Sequence, residues 1–452
     1  MHNLKITIFY TSVILILLTL VTSLSFINQD LYSLDAVRAT RIGLIYVSFV
    51  IFVITLVSLR LIEFRKINPN NIILWFIIIY FGLGIFPFSS YRENIINSLW
   101  LMLLSISVFV LIMGQYFGKL IARKSSDSYF FQSKENLRKT VFTVFFILSL
   151  SFTFIIIYNY GFLLFNPSAR FLVPASWSYI AELLVPLTIT IFALFFAKGK
   201  SDFALYLLFV VSFLLLFSLG YRNQPMLLII GTLMVIFFKK QRLLKKKISI
   251  NNSLILSVGL TIILFLFSIL FISRQESSSE LLNWNDFVEH YEVNNYQVTM
   301  PLFPLHLSAR EAMGVTTVAL DRQNEIDDLL EKKPFFFADL YTLLPGEQLT
   351  SGNILGMVVN RNPNVSLTPG LIGGLYLTGK IYGVCIGFIV MGFLISYFWN
   401  IYRIQGVKKY LALSIITLIY SIELINRGIF KPMYIVVLIL PYLLISIRKE
   451  KS

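Results

Sequence analysis

The chain has 452 residues, of which 57% are hydrophobic and only 13% are charged. Soluble domains typically carry about 25% charged residues, so this composition excludes a disordered protein, a fibrous repeat and an ordinary soluble enzyme. The formal net charge is +15 at pH 7. In so apolar a chain, we interpret the basic excess as charge that holds cytoplasmic loops in place, and not as a nucleic-acid interface.

Twelve apolar runs are candidate membrane helices, because a helix needs about 20 mainly apolar residues to cross a bilayer. They cover roughly residues 6–27, 42–59, 72–88, 95–117, 140–162, 180–197, 203–219, 224–238, 250–272, 376–400, 411–425 and 430–447. The sequence therefore predicts an all-α polytopic membrane protein with about twelve spans.

The distribution of charge predicts the orientation of these spans. An even number of spans places both termini on one side of the membrane. The connections on that side, together with the termini, carry 24 basic and 5 acidic residues, whereas the rest of the chain carries 14 and 18. Because cytoplasmic loops are enriched in lysine and arginine, we predict that both termini are cytoplasmic.

One connection is much longer than the others and divides the chain. Residues 273–370 form a predicted external loop between spans nine and ten. We therefore expect spans one to nine in residues 1–272. Spans ten to twelve and a basic tail follow in residues 371–452. Within the loop, Glu325–Lys333 is predicted to be a short amphipathic helix. Phe335, Phe336 and Phe337 follow it and suit a membrane interface, with a packed cap as the alternative.

Arg222 lies in the outer turn between spans seven and eight, within Gly220-Tyr221-Arg222-Asn223. A charge so close to hydrocarbon is costly, and its fork of donors fits phosphate oxygens. The alternative is an arginine that extends to lipid headgroups.

His306, Arg310 and Glu311 form a second candidate group in the middle of the long loop. In a helix, His306 and Arg310 stand one turn apart on the same face. In a functional site, the group would supply one phosphate-binding cation and two proton acceptors. The alternative is a solvated helix with a local ion pair.

A third motif opens span ten and contains a turn followed by small residues at regular spacing. Thr368 can cap the helix that follows, and glycines recur every four residues at 379, 383 and 387, which predicts close helix packing. The residues that we single out are Thr368, Pro369, Gly373, Tyr376, Gly379 and Gly383.

Glu423 and Arg427 stand four residues apart at the outer end of span eleven. They can form a structural pair, or Glu423 can act as a base while Arg427 binds an external anion. Arg170 and Arg274 are also predicted to face outward, so the candidate anion-binding set is Arg170, Arg222, Arg274, Arg310 and Arg427. The sequence contains no glycine-rich nucleotide loop, and the single Cys385 with His2, His290 and His306 predicts no metal site and no cofactor.

Taken together, these motifs resemble those of the bacterial oligosaccharide repeat-unit polymerases, also called O-antigen polymerases. That family combines ten to fourteen spans, one large external loop in the C-terminal half and an arginine such as Arg222 at an outer helix junction. After the loop, its Thr-Pro-Ser-x-x-Gly-Glu-x-Tyr-like stretch corresponds to residues 368–376, followed by Gly379 and Gly383. This chain has Gly370 where serine is usual and Gly374 where glutamate is common.

The resemblance implies a multi-pass protein of the bacterial inner membrane whose active site faces outward. It would pass a glycan from undecaprenyl pyrophosphate to a sugar hydroxyl of another carrier-linked unit, with arginines on the pyrophosphate and His306, Glu311 or Glu423 as the base. Membrane lipids and a chain-length regulator are the other implied partners. The alternatives are a ligase, which His306 keeps open, another carrier-dependent glycosyltransferase, or a flippase.

Overall fold

A computed structural model of the protein describes residues 49–54, 56, 68–85, 89, 98–126, 133–164, 169, 172–196, 203–220, 223–244, 303–331, 333–341, 350–360 and 366–449. The predicted spans 6–27 and 250–272 lie outside these residues, and so does most of 42–59. Arg170, Arg222 and Arg274 also lie outside them.

The described part of the chain is mainly helical and contains one short pair of strands. In chain order the elements are α1 (Pro69–Ile85), α2 (Ser98–Ser126), β1 (Ser133–Leu137), α3 (Lys139–Tyr160), α4 (Ala175–Glu182), α5 (Leu184–Phe195), α6 (Phe203–Ser218), α7 (Asn223–Leu244), α8 (Phe303–Asp321), α9 (Gln323–Leu329), α10 (Ala338–Tyr341), α11 (Ser351–Asn360), α12 (Gly370–Gln405), α13 (Lys408–Arg427), α14 (Met433–Leu444) and β2 (Ile445–Lys449).

Apolar helices stand where the sequence predicts spans. Among the described residues, five helical stretches are long and apolar enough to cross a membrane: Leu99–Lys124, Lys139–Tyr160, Ala175–Phe195, Gly370–Gln405 and Lys408–Arg427. Shorter apolar helices, such as Pro69–Ile85 and Phe203–Ser218, match further predicted spans. The protein is therefore an α-helical integral membrane protein, while the count of twelve, the long external loop and the cytoplasmic termini stay predictions.

In space, the chain packs as two compact units. Unit 1 comprises residues 1–113, 261–390 and 424–430, and unit 2 comprises residues 114–260, 391–423 and 431–452. The linear division at residues 272 and 370 stays a prediction.

Unit 1 is organised around the packing of α8 against α1. The side chain of Asn68 accepts a hydrogen bond from the Asn71 amide at 3.0 Å, and Pro69 occupies the first turn, so α1 begins with a favourable cap. Near the other end of α1, Gly84 faces α8: a Cβ there would lie 2.9 Å from the Ala309 Cβ. The small residue at position 84 thus lets the two helices approach closely.

The helix α12 is sharply kinked at Gly379 and Lys380, so residues 370–378 and 381–405 are two separate segments. The first segment folds back on the second. It brings Leu375 so close that a Cβ at Gly383 or Gly387 would collide with this residue. Gly383 and Gly387 therefore allow close packing on the segment that precedes the kink. The prediction was wrong for Gly379, which lies at the kink and where a Cβ would meet nothing within 4 Å. Lys380 adopts a positive φ of 51°, which is unusual for a residue with a side chain.

The core of unit 1 beside α8 contains part of the aromatic cluster that the sequence suggested for a membrane interface. Phe335 and Phe336 are buried at 2% and 6% exposure, whereas Phe337 is 39% exposed. The rings of Phe336 and Phe337 both pack on Phe430, at 5.8 and 5.5 Å between centroids. The packed-cap alternative therefore describes this cluster better. The amphipathic helix before it is α9, which ends at Leu329 and not at Lys333.

Unit 2 is a helical bundle in which α5 is almost completely buried. Thr188 of α5 and Ser212 of α6 are joined by a hydrogen bond of 3.0 Å between their hydroxyls, and Gly231 of α7 lets that helix pack closely on Ile189.

Unit 2 also contains a two-stranded antiparallel ribbon. It pairs β1 with β2, so the connection before α3 lies beside the chain after α14. From β1, the carboxylate of Glu135 accepts hydrogen bonds of 2.9 Å from the amides of Lys408 and Lys409, which caps the N-terminus of α13. This pairing is consistent with the predicted location of the two connections on one side of the membrane.

The close approach of Gly374 to Gly428 within unit 1 yields a stability prediction. A Cβ at Gly374 would collide with the Gly428 carbonyl, whereas a Cβ at Gly379 would meet nothing within 4 Å. We expect Gly374→Ala to lower the free energy of unfolding by about 2 kcal/mol or more, because the backbone must move apart. Gly379→Ala, the matched control, should change it by no more than about 0.5 kcal/mol. Thermal unfolding of the detergent-solubilised protein measures both, and equal midpoints would contradict the packing.

Candidate functional site

The helix α8 brings His306 and Arg310 together against the C-terminal end of α1. Both side chains are almost completely buried, at 0% and 1% exposure. They stand one turn apart on the face of α8 that packs on α1. The last carbonyl groups of any helix lack partners within the helix, so this end of α1 needs donors from elsewhere.

His306 supplies one of these donors through Nδ1, which lies 2.6 Å from the Leu83 carbonyl oxygen. A carbonyl oxygen can only accept, so Nδ1 carries the proton. The Nε2 atom lies 2.9 Å from the Ser89 hydroxyl and accepts from it in the neutral ring. Both ring nitrogens of His306 are therefore engaged with protein groups.

Arg310 supplies a second donor, because its Nε donates to the Gly84 carbonyl oxygen. A positive charge at the C-terminus of a helix is favourable, since the aligned peptide dipoles leave partial negative charge there. The contact fixes the plane of the guanidinium, whose two Nη atoms carry four further N–H donors.

The environment of His306 keeps its ring neutral. Burial, and then the nearby charge of Arg310, lower the pKa of His306 to about 3, although the hydrogen bond to Leu83 acts in the opposite direction. At neutral pH the imidazole is thus uncharged, and it is a weak proton acceptor.

A second set of polar groups joins α1, α8 and the end of α13 within unit 1. The Tyr80 hydroxyl donates to Asn426 Oδ1 at 2.8 Å, and the Ser308 hydroxyl donates to the same atom at 2.5 Å. The two hydroxyl oxygens are 3.3 Å apart. Glu311, which is half-buried, lies close enough to act electrostatically on the Tyr80 hydroxyl. Asn426 directly precedes Arg427.

The motif that begins at Thr368 packs on the same helix, α8. The Thr316 hydroxyl donates to the Pro369 carbonyl at 2.9 Å, and a Cβ at Gly373 would collide with the Thr316 side chain. Gly374 approaches the Gly428 carbonyl so closely that no side chain fits. Glycine at position 374, where glutamate is common in the resembling family, thus has a packing reason.

Unit 2 contains Glu423, together with polar partners that the sequence analysis did not identify. Glu423 Oε1 accepts from Lys431 Nζ at 3.2 Å, and the two side chains are 1% and 12% exposed. Nearby, Glu182 Oε2 accepts from Gln224 Nε2 at 2.8 Å. Both carboxylates act electrostatically on the Tyr420 hydroxyl, so the two pairs belong to one buried polar cluster.

Of the predicted site residues, unit 1 therefore gathers His306, Arg310 and Glu311 with the Thr368 motif and the Asn426–Gly428 turn. The residues that sequence reasoning missed here, Tyr80 and Asn426, had no charge to mark them, although Tyr80 is a polar residue inside an apolar run. Within the described ranges, no three His, Cys, Asp or Glu side chains come together in a way that could hold a metal ion.

The low pKa of His306 predicts a pH dependence of stability. An unfolded histidine has a pKa of about 6.5, so between about pH 6.5 and 3 the unfolded chain binds a proton that the folded chain does not. Stability should therefore fall as the pH is lowered through this window, by up to about 1.4 kcal/mol per pH unit from this group. In His306→Gln that contribution should vanish, and unfolding midpoints between pH 4 and 7 measure the difference. Parallel pH profiles for the two proteins would refute a neutral buried ring.

The pair Glu423–Lys431 yields a second prediction. Lys431→Met should destabilise the protein by about 3 kcal/mol, because it leaves a buried carboxylate without this donor. The double change Glu423→Gln with Lys431→Met should recover most of the loss. Lys333→Met removes the exposed pair with Glu331, whose side chains are 37% and 78% exposed, and should change stability by at most about 0.5 kcal/mol. Equal effects of the two lysine variants would show that Glu423 does not depend on Lys431.

Comparison with known proteins identifies the family. A family model described as "Putative O-antigen polymerase" matches residues 66–300, which is slightly more than half of the chain and covers the predicted spans three to nine. No curated protein and no solved structure matches significantly. The chain belongs to the O-antigen polymerase family.

Proposed function

We propose that this protein polymerises oligosaccharide repeat units carried on undecaprenyl pyrophosphate at the outer face of the bacterial inner membrane. Membership of the O-antigen polymerase family supports a polymerase acting on a lipid-linked oligosaccharide. The structural observation that carries the proposal is Arg310, a buried cation that a backbone carbonyl holds in place. It lies on the helix where the Thr368 motif and the Asn426–Gly428 turn also pack.

The proposed reaction is a glycosyl block transfer. A hydroxyl oxygen of the acceptor sugar forms a bond to the anomeric carbon of the donor glycan, and the bond from that carbon to the pyrophosphate oxygen breaks. The hydroxyl proton passes to a base on the protein, and the leaving group is undecaprenyl pyrophosphate. Negative charge grows on the pyrophosphate during this step, so fixed guanidinium groups in a site of low dielectric constant stabilise the transition state.

The pyrophosphate would be bound by arginines. Arg310 and Arg427 are the described members of the proposed set, and Arg170, Arg222 and Arg274 are proposed from the sequence. A guanidinium offers two parallel donors to a phosphate, which a lysine cannot do. The glycan is already activated by its bond to the carrier pyrophosphate. The lipid tail of the carrier would lie along the exposed apolar helix faces.

For the base, we favour Glu311 over His306. Glu311 is half-buried and near the Tyr80 hydroxyl, whereas both nitrogens of His306 are occupied by Leu83 and Ser89. A histidine with a pKa of about 3 also takes up a proton poorly at neutral pH. We propose that His306 positions α8 against α1, and Glu423 stays a further candidate for the base. The engagement of both ring nitrogens also weighs against the ligase alternative, which rested on a functional histidine.

The proposal extends to the product and the partners, which the family does not specify. O-antigen, capsule and exopolysaccharide are all built from such repeat units, and a chain-length regulator would be the protein partner. Analysis of the surface glycan in a strain that lacks the gene distinguishes these products.

Replacement of Arg310 tests the proposed site. We expect Arg310→Ala to reduce polymer at least about 100-fold while single repeat units are still transferred, since a positioned donor to the developing charge is lost. Arg310→Lys should be poorly tolerated, because the fork of donors is lost. The same result is expected for Arg222→Ala and Arg222→Lys. A gel ladder of surface glycan from complemented deletion strains measures chain length, and immunoblots of membranes measure the amount of protein.

Arg322, which lies directly after the end of α8, provides a control. Its guanidinium also donates to a backbone carbonyl, that of Val358, and the side chain is only partly buried. Arg322→Ala should therefore keep a normal ladder. A normal ladder from Arg310→Ala at unchanged protein level would refute the assignment.

A further inference from the structure

Asn426 stands out in unit 1 because its amide group is held in one orientation. Its Oδ1 accepts two hydrogen bonds, from the Tyr80 hydroxyl at 2.8 Å and from the Ser308 hydroxyl at 2.5 Å. A carbonyl oxygen has two lone pairs, so this atom is fully used. Tyr80 is in turn fixed by burial at 1% exposure and by stacking on Phe76 at 5.9 Å between centroids.

The amide nitrogen of Asn426 is the other half of the group. Among the described residues it has no hydrogen-bond partner, and Asn426 is only partly buried. Two N–H donors therefore point away from the groups that hold the side chain. An amide that two buried or partly buried hydroxyls fix in this way is a preorganised donor.

The chemistry around this nitrogen identifies the kind of group that it would bind. With Oδ1 occupied, Asn426 can only donate, and the adjacent Arg427 carries donors only. A sugar hydroxyl is recognised best by donors and acceptors together, whereas a phosphoryl oxygen accepts only. α13 ends at Arg427, and its terminal carbonyls repel anions, so an anion there requires such donors.

We propose that the Nδ2 atom of Asn426 donates a hydrogen bond to a phosphoryl oxygen of the lipid-carrier pyrophosphate, with Tyr80 and Ser308 as positioning residues. This inference rests on the proposed function and adds a neutral donor to its arginines. It explains why a tyrosine and a serine from two different helices converge on one amide oxygen.

The test measures binding of inorganic pyrophosphate to the full-length protein in detergent, together with polymerisation kinetics. Asn426→Asp keeps the shape of the side chain but removes both donors. We expect it to weaken pyrophosphate binding about 10- to 100-fold, the usual effect of losing a hydrogen bond to a charged group. The KM for the carrier-linked donor should rise with it.

Asn159→Asp is the matched control. Asn159 is exposed and lies in the last turn of α3, as Asn426 lies in the last turn of α13, so the control adds the same charge at a comparable helix position. We expect pyrophosphate binding within about twofold of the unchanged protein.

Tyr80→Phe and Ser308→Ala test the positioning of the amide. Each removes one hydroxyl that holds Oδ1, and each leaves the amide nitrogen itself intact. We expect each to weaken pyrophosphate binding by roughly threefold to tenfold, with unfolding midpoints used to correct for any loss of fold. A structural role alone would lower the midpoint and leave pyrophosphate affinity unchanged.

Unchanged pyrophosphate affinity in Asn426→Asp would overturn the inference, whether or not sugar binding changes. If the same variant also binds the carrier-free oligosaccharide more weakly, the amide donates to a sugar instead. Both results can occur while Arg310→Ala still abolishes polymerisation, so failure of this inference is distinguishable from failure of the proposed function.

Discussion

The organisation of unit 1 depends on how the C-terminal end of α1 satisfies its carbonyl groups. These carbonyls have no partners within the helix, and their desolvation is costly in an apolar protein. His306 and Arg310 supply the donors, at Leu83 and Gly84. Because the two donors stand one turn apart, they dock α8 along α1 in a single register.

That register has consequences for the rest of unit 1. It places Ser308 beside the Tyr80 hydroxyl, and it turns Thr316 toward Pro369. Close backbone approaches at Gly373 and Gly374 then leave no space for side chains. The candidate site is thus built on helices and not on a free loop, which holds its polar groups in defined orientations and costs no reorganisation during a reaction.

Much of the helical framework was predictable, because runs of about 20 apolar residues have few alternatives to a membrane helix. That His306 and Arg310 lie on one face of a helix was also predictable, because residues four apart stand one helical turn apart. The aromatic run at Phe335 was harder, since its composition fits either a lipid interface or a packed core, and only the contact with Phe430 separates them. The kink at Gly379 could not be predicted from the glycine spacing. Such spacing predicts close packing, but it does not say which segment packs there.

By itself, the sequence determined the class of protein, the approximate positions of most helices and the charged residues worth testing, because hydrophobicity and charge are properties of single residues and their spacing. Only the tertiary structure decided which of these residues lie together. The neutral state of His306 comes from burial and from Arg310, and the fixed amide of Asn426 comes from hydroxyls 346 and 118 residues away in the chain. Such environments arise from contacts between distant segments, and no local pattern encodes them.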